Sequence, residues 1–234
     1  MEIFHVTPFI FFLIFLVAVV IGARRQGNTR ATDEEARRPM PGDSLMPRPD
    51  YSRTRAVTIK ASPSIIWQWV ERAGHGDFNV AKAAYVRDPV GGKVYLRGPF
   101  ATPGDEAEPV DGLAFKPGDK VPLNPTMDIY VNEVEPLRLL VLFGAVDKAT
   151  GHSMPYGGPM PEKYFAMSLA LSIEEKQDGF SRLILRSRNS YGRNVAVNSL
   201  TRMMAVPAYT LAEKAILQGI KKKAEEAAKA ATTR

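Results

Sequence analysis

From Pro8 to Ala23 the chain reads PFIFFLIFLVAVVIGA, without one charged side chain. At about 1.5 Å per residue, such a run with its flanks spans a hydrocarbon core of roughly 30 Å. Backbone groups in lipid must hydrogen-bond within their own segment, so the expected form is a helix. A cleaved signal peptide is the competing reading. It calls for a basic start, and Met1–His5 offers Glu2 and His5 but no Lys or Arg. It also calls for small residues at both −3 and −1 of a cleavage site, and Gly22-Ala23, with Ile21 at −3, supplies only one of the two. Residues 1–23 are therefore expected to be a single-pass anchor in contact with membrane lipid through residues 8–23. Arg24 and Arg25 follow at once, with Arg30, Arg37 and Arg38 beyond. By the positive-inside rule the remaining chain is expected on the cytoplasmic side.

Residues 24–50 are polar and carry Pro39, Pro41, Pro47 and Pro49 without apolar periodicity. They read as a linker, which as a flexible coil reaches on the order of 30 Å. Residues 51–234 then form one domain, roughly 180 residues being enough for a sizeable core. The net charge is +6, gathered after the apolar run and at Lys221–Lys223. That placement suits a membrane neighbour. No interleaved aromatic and basic platform of the kind that binds nucleic acid is present. The chain has no cysteine, which excludes a disulfide framework, a thiolate nucleophile and any cysteine-built zinc site.

Ala56–Ile59 reads as a strand. Ser62-Pro63 then opens a short helix, IIWQWVERAG, with Ile66, Trp67 and Val70 on one face and Gly74 as its stop. Trp69, two positions from Trp67, is expected to be partly exposed. Three Pro-Gly-Asp triplets, at 41–43, 103–105 and 117–119, have the chemistry of type II turns. MDIYVNEVEP and RLLVLFG read as consecutive strands. Tyr164–Ile173 alternates Phe165, Met167, Leu169, Leu171 and Ile173 against Ala166, Ser168, Ala170 and Ser172. Gln177-Asp178-Gly179 turns it into SRLILRSR, whose Arg186 and Arg188 face away from Leu183 and Leu185. They read as a solvated sheet face or, more sharply, as a clamp for a ligand carboxylate. From about Ser199 to Ala231 the helical stripe Tyr209, Ile216, Leu217, Ile220, Ala224 and Ala227 marks a long helix. The order is α+β, a long helix packed on a curved antiparallel sheet.

Several segments carry the marks of a known superfamily: MPGDSLMPRPDYSRTRAVTIKASPSIIWQWV, FKPGDKVPL, VNEVEPLRLLVL, SLALSIEEKQDGFSRLILRSR and LAEKAILQGIKKKAEE. Over most of residues 40–228 the chain resembles the START-like helix-grip superfamily (SRPBCC), polyketide cyclase/dehydrase type. The resemblance implies a helix-grip fold, a curved sheet wrapped on the C-terminal helix with an apolar cavity between them. The cavity candidates are Tyr130, Phe143, Met167, Leu169, Met203 and Tyr209. One departure stands out. Relatives carry an aromatic Tyr-Ser-Tyr-like stretch after the first helix, where this chain reads GHGDFNVAKAAYVRDPVGGKVYLRG.

No catalytic set, metal site or cofactor motif emerges. His75 in Gly74-His75-Gly76-Asp77 reads as a loop histidine. His152-Ser153 in TGHSMP lacks the second glycine of a nucleophile elbow. Gly91-Gly92-Lys93 lacks the upstream glycine and the Ser or Thr of a phosphate loop. The acidic set Asp105, Glu106, Glu108 and Asp111 lacks calcium-loop spacing. Asp147–Lys163, rich in Gly, Pro and Met, is long enough to act as a contact or cover. The expected function is a membrane-tethered binding protein for a hydrophobic small molecule or lipid. An accessory subunit of a membrane complex and a cyclase or dehydratase on an apolar substrate are the alternatives.

Overall fold

The structure is a computed structural model that describes residues 29–74, 85–87, 93–95, 114–124, 127–191 and 195–232. In chain order the helices are α1 (Asp33–Arg37), α2 (Pro63–Gly74) and α3 (Val195–Thr232). The strands are β1 (Tyr51–Ile59), β2 (Tyr85–Arg87), β3 (Lys93–Tyr95), β4 (Lys120–Asn124), β5 (Met127–Glu135), β6 (Leu139–Asp147), β7 (Tyr164–Glu175) and β8 (Ser181–Ser190). β2 and β3 pair with each other. The other strands form one six-stranded sheet ordered β1-β8-β7-β6-β5-β4, antiparallel at each pairing. The first strand thus joins the last, and α2 and β4 lead the chain round to the far edge. Gly144 lets β6 approach β5 closely: a Cβ there would collide with the Asp128 carbonyl oxygen. With α3 on its inner face, this is the α+β helix-grip arrangement.

The alternation in β7 fixes which face is inner. Met167, Leu169, Leu171 and Ile173 join Leu183, Leu185, Val57, Ile59, Leu140 and Leu142 in the main core. Ile216, Leu217, Ile220 and Ala224 of α3 complete it from one side, and Ile66, Trp67 and Val70 of α2 from another. Trp69, expected to be partly exposed, is buried as well, beneath the Arg72 guanidinium at 5.1 Å from its ring. Two of the Pro-Gly-Asp triplets form the turns their chemistry calls for. Asp43 N donates to Met40 O at 3.1 Å with Gly42 at φ 86°, and Asp119 N donates to Lys116 O at 3.0 Å with Gly118 at φ 92°. The triplet at 103–105 lies outside the described residues.

The outer face departs from expectation. Residues 29–50, read as coil, lie across it as an ordered strap. Met40 packs with Ala56, Leu139, Val141, Ala170 and Ile184, and Met46 with Ala145 and Ala166. Burying each methionine contributes about 1.5–3 kcal/mol before its ordering entropy is subtracted. Five-residue α1 buries none of its own residues and is too short to stand on propensity. A capping box closes its start: Glu35 N donates to Thr32 Oγ1 at 3.1 Å, and Thr32 N to Glu35 Oε2 at 2.7 Å. Arg186 closes its end. Nη2 donates to Glu35 O and Ala36 O at 2.9 and 3.0 Å, and Nη1 to Arg38 O at 2.9 Å and Asp43 Oδ2 at 2.7 Å. Arg188 Nη1 holds the Asp43 and Met46 carbonyls, both at 2.9 Å, and Arg182 pairs with Glu35 at 2.8 Å. Arg186 and Arg188 are neither a solvated face nor a ligand clamp. They are the posts to which the strap is tied.

Among the described residues no helix is long and apolar enough to cross a membrane. The apolar run at 8–23 lies outside the described residues.

Candidate functional site

Strand register arranges the inner face in rows. One row reads Val57–Leu183–Ile173, and the next brings Leu185–Leu171–Leu140 together. These are covered by the apolar stripe of α3 and filled by side chains. Toward the other end the character changes. One row there reads Arg53–Ser187–Leu169 and the next Tyr51–Asn189–Met167.

Glu213 enters this polar end from α3 at 1% exposure. Its Oε2 accepts from Arg55 Nε at 2.7 Å. Its Oε1 accepts from the Tyr51 hydroxyl at 3.3 Å and from the Ser187 hydroxyl. A buried carboxylate is tolerable only when charge and lone pairs are answered in this way. The Tyr51 hydroxyl is pushed up to about 12 by burial and by the Glu213 charge, so it stays a proton-bearing donor. With each Glu213 oxygen engaged, the group joins helix to sheet rather than standing ready as a base.

Beyond the cluster lies an aromatic patch. Tyr209 meets Tyr51 at a ring separation of 6.0 Å, and Phe165 meets Tyr191 at 5.5 Å. Burial raises the Tyr209 hydroxyl above the usual tyrosine range. Asn189 sits between Tyr51 and Met167 in its row at 1% exposure. Its Oδ1 is buried with no hydrogen-bond partner among the described residues. An apolar wall of aromatic rings with one unanswered acceptor is what an apolar molecule bearing a hydroxyl or amide donor requires.

The sequence candidates divide. Met167 and Leu169 lie on the inner face, Met167 beside Asn189 and Leu169 beside Ser187. Tyr209 reaches the patch from α3. Tyr130 and Phe143, opposite each other in register, do not belong to it. Phe143 packs under the strap near Met46, and Tyr130 meets Tyr156 of the 148–163 connection at 6.0 Å. The physical reason is that β6 is apolar on both faces, because the strap covers its outer one, so alternation could not tell the faces apart. Met203 lies outside the described side chains.

Tyr51, Arg55, Asn189, Tyr191 and Glu213 were missed in the sequence, although signals existed. Continuing the β8 alternation from Leu183 and Leu185 puts Ser187, Asn189 and Tyr191 on the inner face, a polar end to an apolar row. Glu213 stands on the helical stripe between Tyr209 and Ile216, where an acid is out of place unless paired. In the TGHSMP segment Ser153 Oγ accepts from Asp128 N at 2.8 Å, a structural duty. Among the described residues no group of His, Cys, Asp and Glu is placed to hold a metal ion. His75 and the acidic set at 105–111 lie outside them.

No protein-family profile matches the chain, and no curated protein matches it in sequence. Solved structures resemble it in shape. A hypothetical protein from Helicobacter pylori is 13% identical, with 85% of this chain and 97% of that one covered and a TM-score of 0.46. The Zhui aromatase/cyclase from a Streptomyces species is 11% identical, with 77% and 97% covered and a TM-score of 0.38. CalU16 from Micromonospora echinospora is 12% identical, with 78% and 88% covered and a TM-score of 0.34. Each score lies under 0.5, and the helix-grip assignment stands on the sheet order and the seating of α3.

Proposed function

We propose that this chain is a membrane-tethered binding protein for a hydrophobic small molecule or lipid, taken up between the inner sheet face and α3. The observation that carries the reading is the buried Asn189 Oδ1, without a donor among the described residues and set in a row of Tyr51 and Met167. Leaving an acceptor buried and unanswered costs about 1–3 kcal/mol, so a donor supplied by a ligand gives the residue a purpose. The uncharged run at 8–23 supports the tether, and Arg24 and Arg25 support a cytoplasmic domain. A tether restricts the site to the bilayer surface, where apolar molecules concentrate.

Glu213 and Arg55 serve as the frame of this site, and Tyr51 and Tyr209 as its wall. The test is to purify the full chain in mild detergent, extract it with organic solvent and identify the extract by mass spectrometry. A recurring class of apolar compound carrying a hydrogen-bond donor is expected. A chain that yields only the detergent and bulk lipid of its preparation refutes the reading.

The second reading, an accessory subunit of a membrane complex, is favoured by Tyr156 and Met160. They stand 48% and 43% exposed on the connection between β6 and β7. Native gels of gently solubilised membranes distinguish the two, since a subunit migrates with its complex.

A further inference from the structure

A second concavity lies on the other side of Arg55. The strap starts there by bridging to the edge strand: Arg30 pairs with Arg55, and Ala56 N donates to Thr29 O at 3.2 Å. Between strap, β1 and α3 this leaves an open cleft of about 320 Å³. Its polar lining is Arg30, Arg53, Arg55, Lys214, Thr29 and Thr54; the rest is Ala31 and Ala36, and none of these residues is acidic.

From the geometry of this cleft we infer a binding site for a phosphate group, either free or on a lipid headgroup.

Four cations from three segments line one concavity, with Thr29 and Thr54 between them, whose hydroxyl oxygens accept from Arg55 and Arg186. Arg55 is held in place from behind by Glu213, and its Nη1 reaches Thr29 Oγ1 at 3.5 Å. Arg53 is steadied by Thr210 Oγ1 at 3.1 Å and by the Tyr51 ring below it. Guanidinium groups fixed at known angles recognise phosphate oxygens through paired donors, and a lysine adds a point charge. The cations also repel each other. Burial, with Arg55 and Arg53 beside it, holds the Lys214 ammonium below its usual range, a condition that a bound anion relieves. The chain itself offers a source. Ala23, the end of the uncharged run, precedes Thr29 by few enough residues that the cleft lies within roughly 20 Å of it along the backbone.

The experiment uses the full chain in nanodiscs of phosphatidylcholine, with the Arg53→Gln/Lys214→Gln double variant as control. Lys214 is not part of the aromatic patch and Arg53 meets it only over the Tyr51 ring, so the extract of bound apolar compound is compared between variant and parent, and circular dichroism checks that the variant folds. Inorganic phosphate is titrated by calorimetry against sodium chloride of equal ionic strength. A saturable phosphate heat, at least about tenfold weaker in the double variant, supports the site with free phosphate as occupant. If phosphate is silent, discs containing phosphatidic acid are compared with neutral discs by hydrogen exchange. Protection of amides 53–55 that appears only with phosphatidic acid and is lost in the double variant supports a headgroup. Equal responses to chloride and phosphate with no phosphatidic acid effect, or a double variant that binds like the parent, overturn the inference. An empty aromatic patch leaves this result unaffected, so the two proposals fail separately.

Discussion

Arg186 Nη1 and Asp43 Oδ2 lie 2.7 Å apart although 143 positions separate the residues in sequence. The arginine is 4% exposed and also holds the carbonyls of Glu35, Ala36 and Arg38. Replacing Asp43 by Ala leaves Arg186 its carbonyl acceptors but removes the counter-charge of that buried guanidinium and of Arg188 as well. The expected loss is about 3–5 kcal/mol, the usual cost of breaking a buried pair from one side. Urea unfolding measures the loss. Hydrogen exchange adds that the amides of residues 33–46 open first. A loss below about 0.5 kcal/mol, typical of a surface substitution, contradicts the strap.

Gly42 sits where the strap turns onto Val141. Its φ is 86°, and a Cβ there would meet Val141 Cγ1 at 2.6 Å. Gly42→Ala is expected to cost about 1–3 kcal/mol, from the left-handed backbone and the contact together. Val141→Ala in the same chain relieves the contact but not the backbone term. The double variant therefore destabilises by less than the sum of the two single changes in a thermal-unfolding cycle.

The strap is also sensitive to acid. Hydrogen bonds from Arg182 are the largest cause holding the Glu35 carboxyl down to about 2 from its usual 4.5, against the opposing effect of burial. A depressed folded-state value means that the contribution is fully present above about 4.5 and lost as pH falls from there toward about 2. Glu35→Gln is expected to flatten stability across that window and to lower it at neutral pH by about 1–3 kcal/mol. Urea midpoints at pH 7, 4.5 and 3 check the sign. A variant whose acid loss equals the parent's contradicts the assignment.

Much of the grip was legible because it rests on local, repeated signals. β7 alternates cleanly, two Pro-Gly-Asp triplets turn as written, and the stripe through Ile216, Leu217 and Ile220 marks the face of α3. The strap was not, because its order comes from partners far along the chain. Arg38 bonds Glu174, and Arg182, Arg186 and Arg188 reach back to residues 30–46. Two signals did exist. Thr32-x-x-Glu35 is a capping box, and the outer row Ala166, Ser168, Ala170 is small where a solvated face would carry charge. The candidate site was legible only as a choice of sheet face: alternation put Met167 and Leu169 on the inner face, while a strand covered on both faces disguised Phe143.

Glu213 fastens α3 to the sheet. Glu213→Gln leaves Arg55 buried without its counter-charge, and about 3–5 kcal/mol is expected to be lost. Tyr51→Phe removes one donor of the same cluster and is expected to cost about 0.5–1.5 kcal/mol. Chemical denaturation of both variants checks the order. A Tyr51→Phe loss as large as that of Glu213→Gln contradicts the assignment of Arg55 as the principal partner.

On the proposed function Asn189 is kept for a ligand and not for the fold, and one paired measurement tests this. The full chain and its Asn189→Leu variant are purified alike, extracted, and their bound apolar compound is counted per chain, alongside their urea midpoints. Occupancy about tenfold lower in the variant is expected, with a midpoint no lower than the parent's, since removing an unanswered buried acceptor is neutral or stabilising. Unchanged occupancy, or a variant destabilised by more than about 1 kcal/mol, contradicts it, because Asn189 then has its partner within the chain.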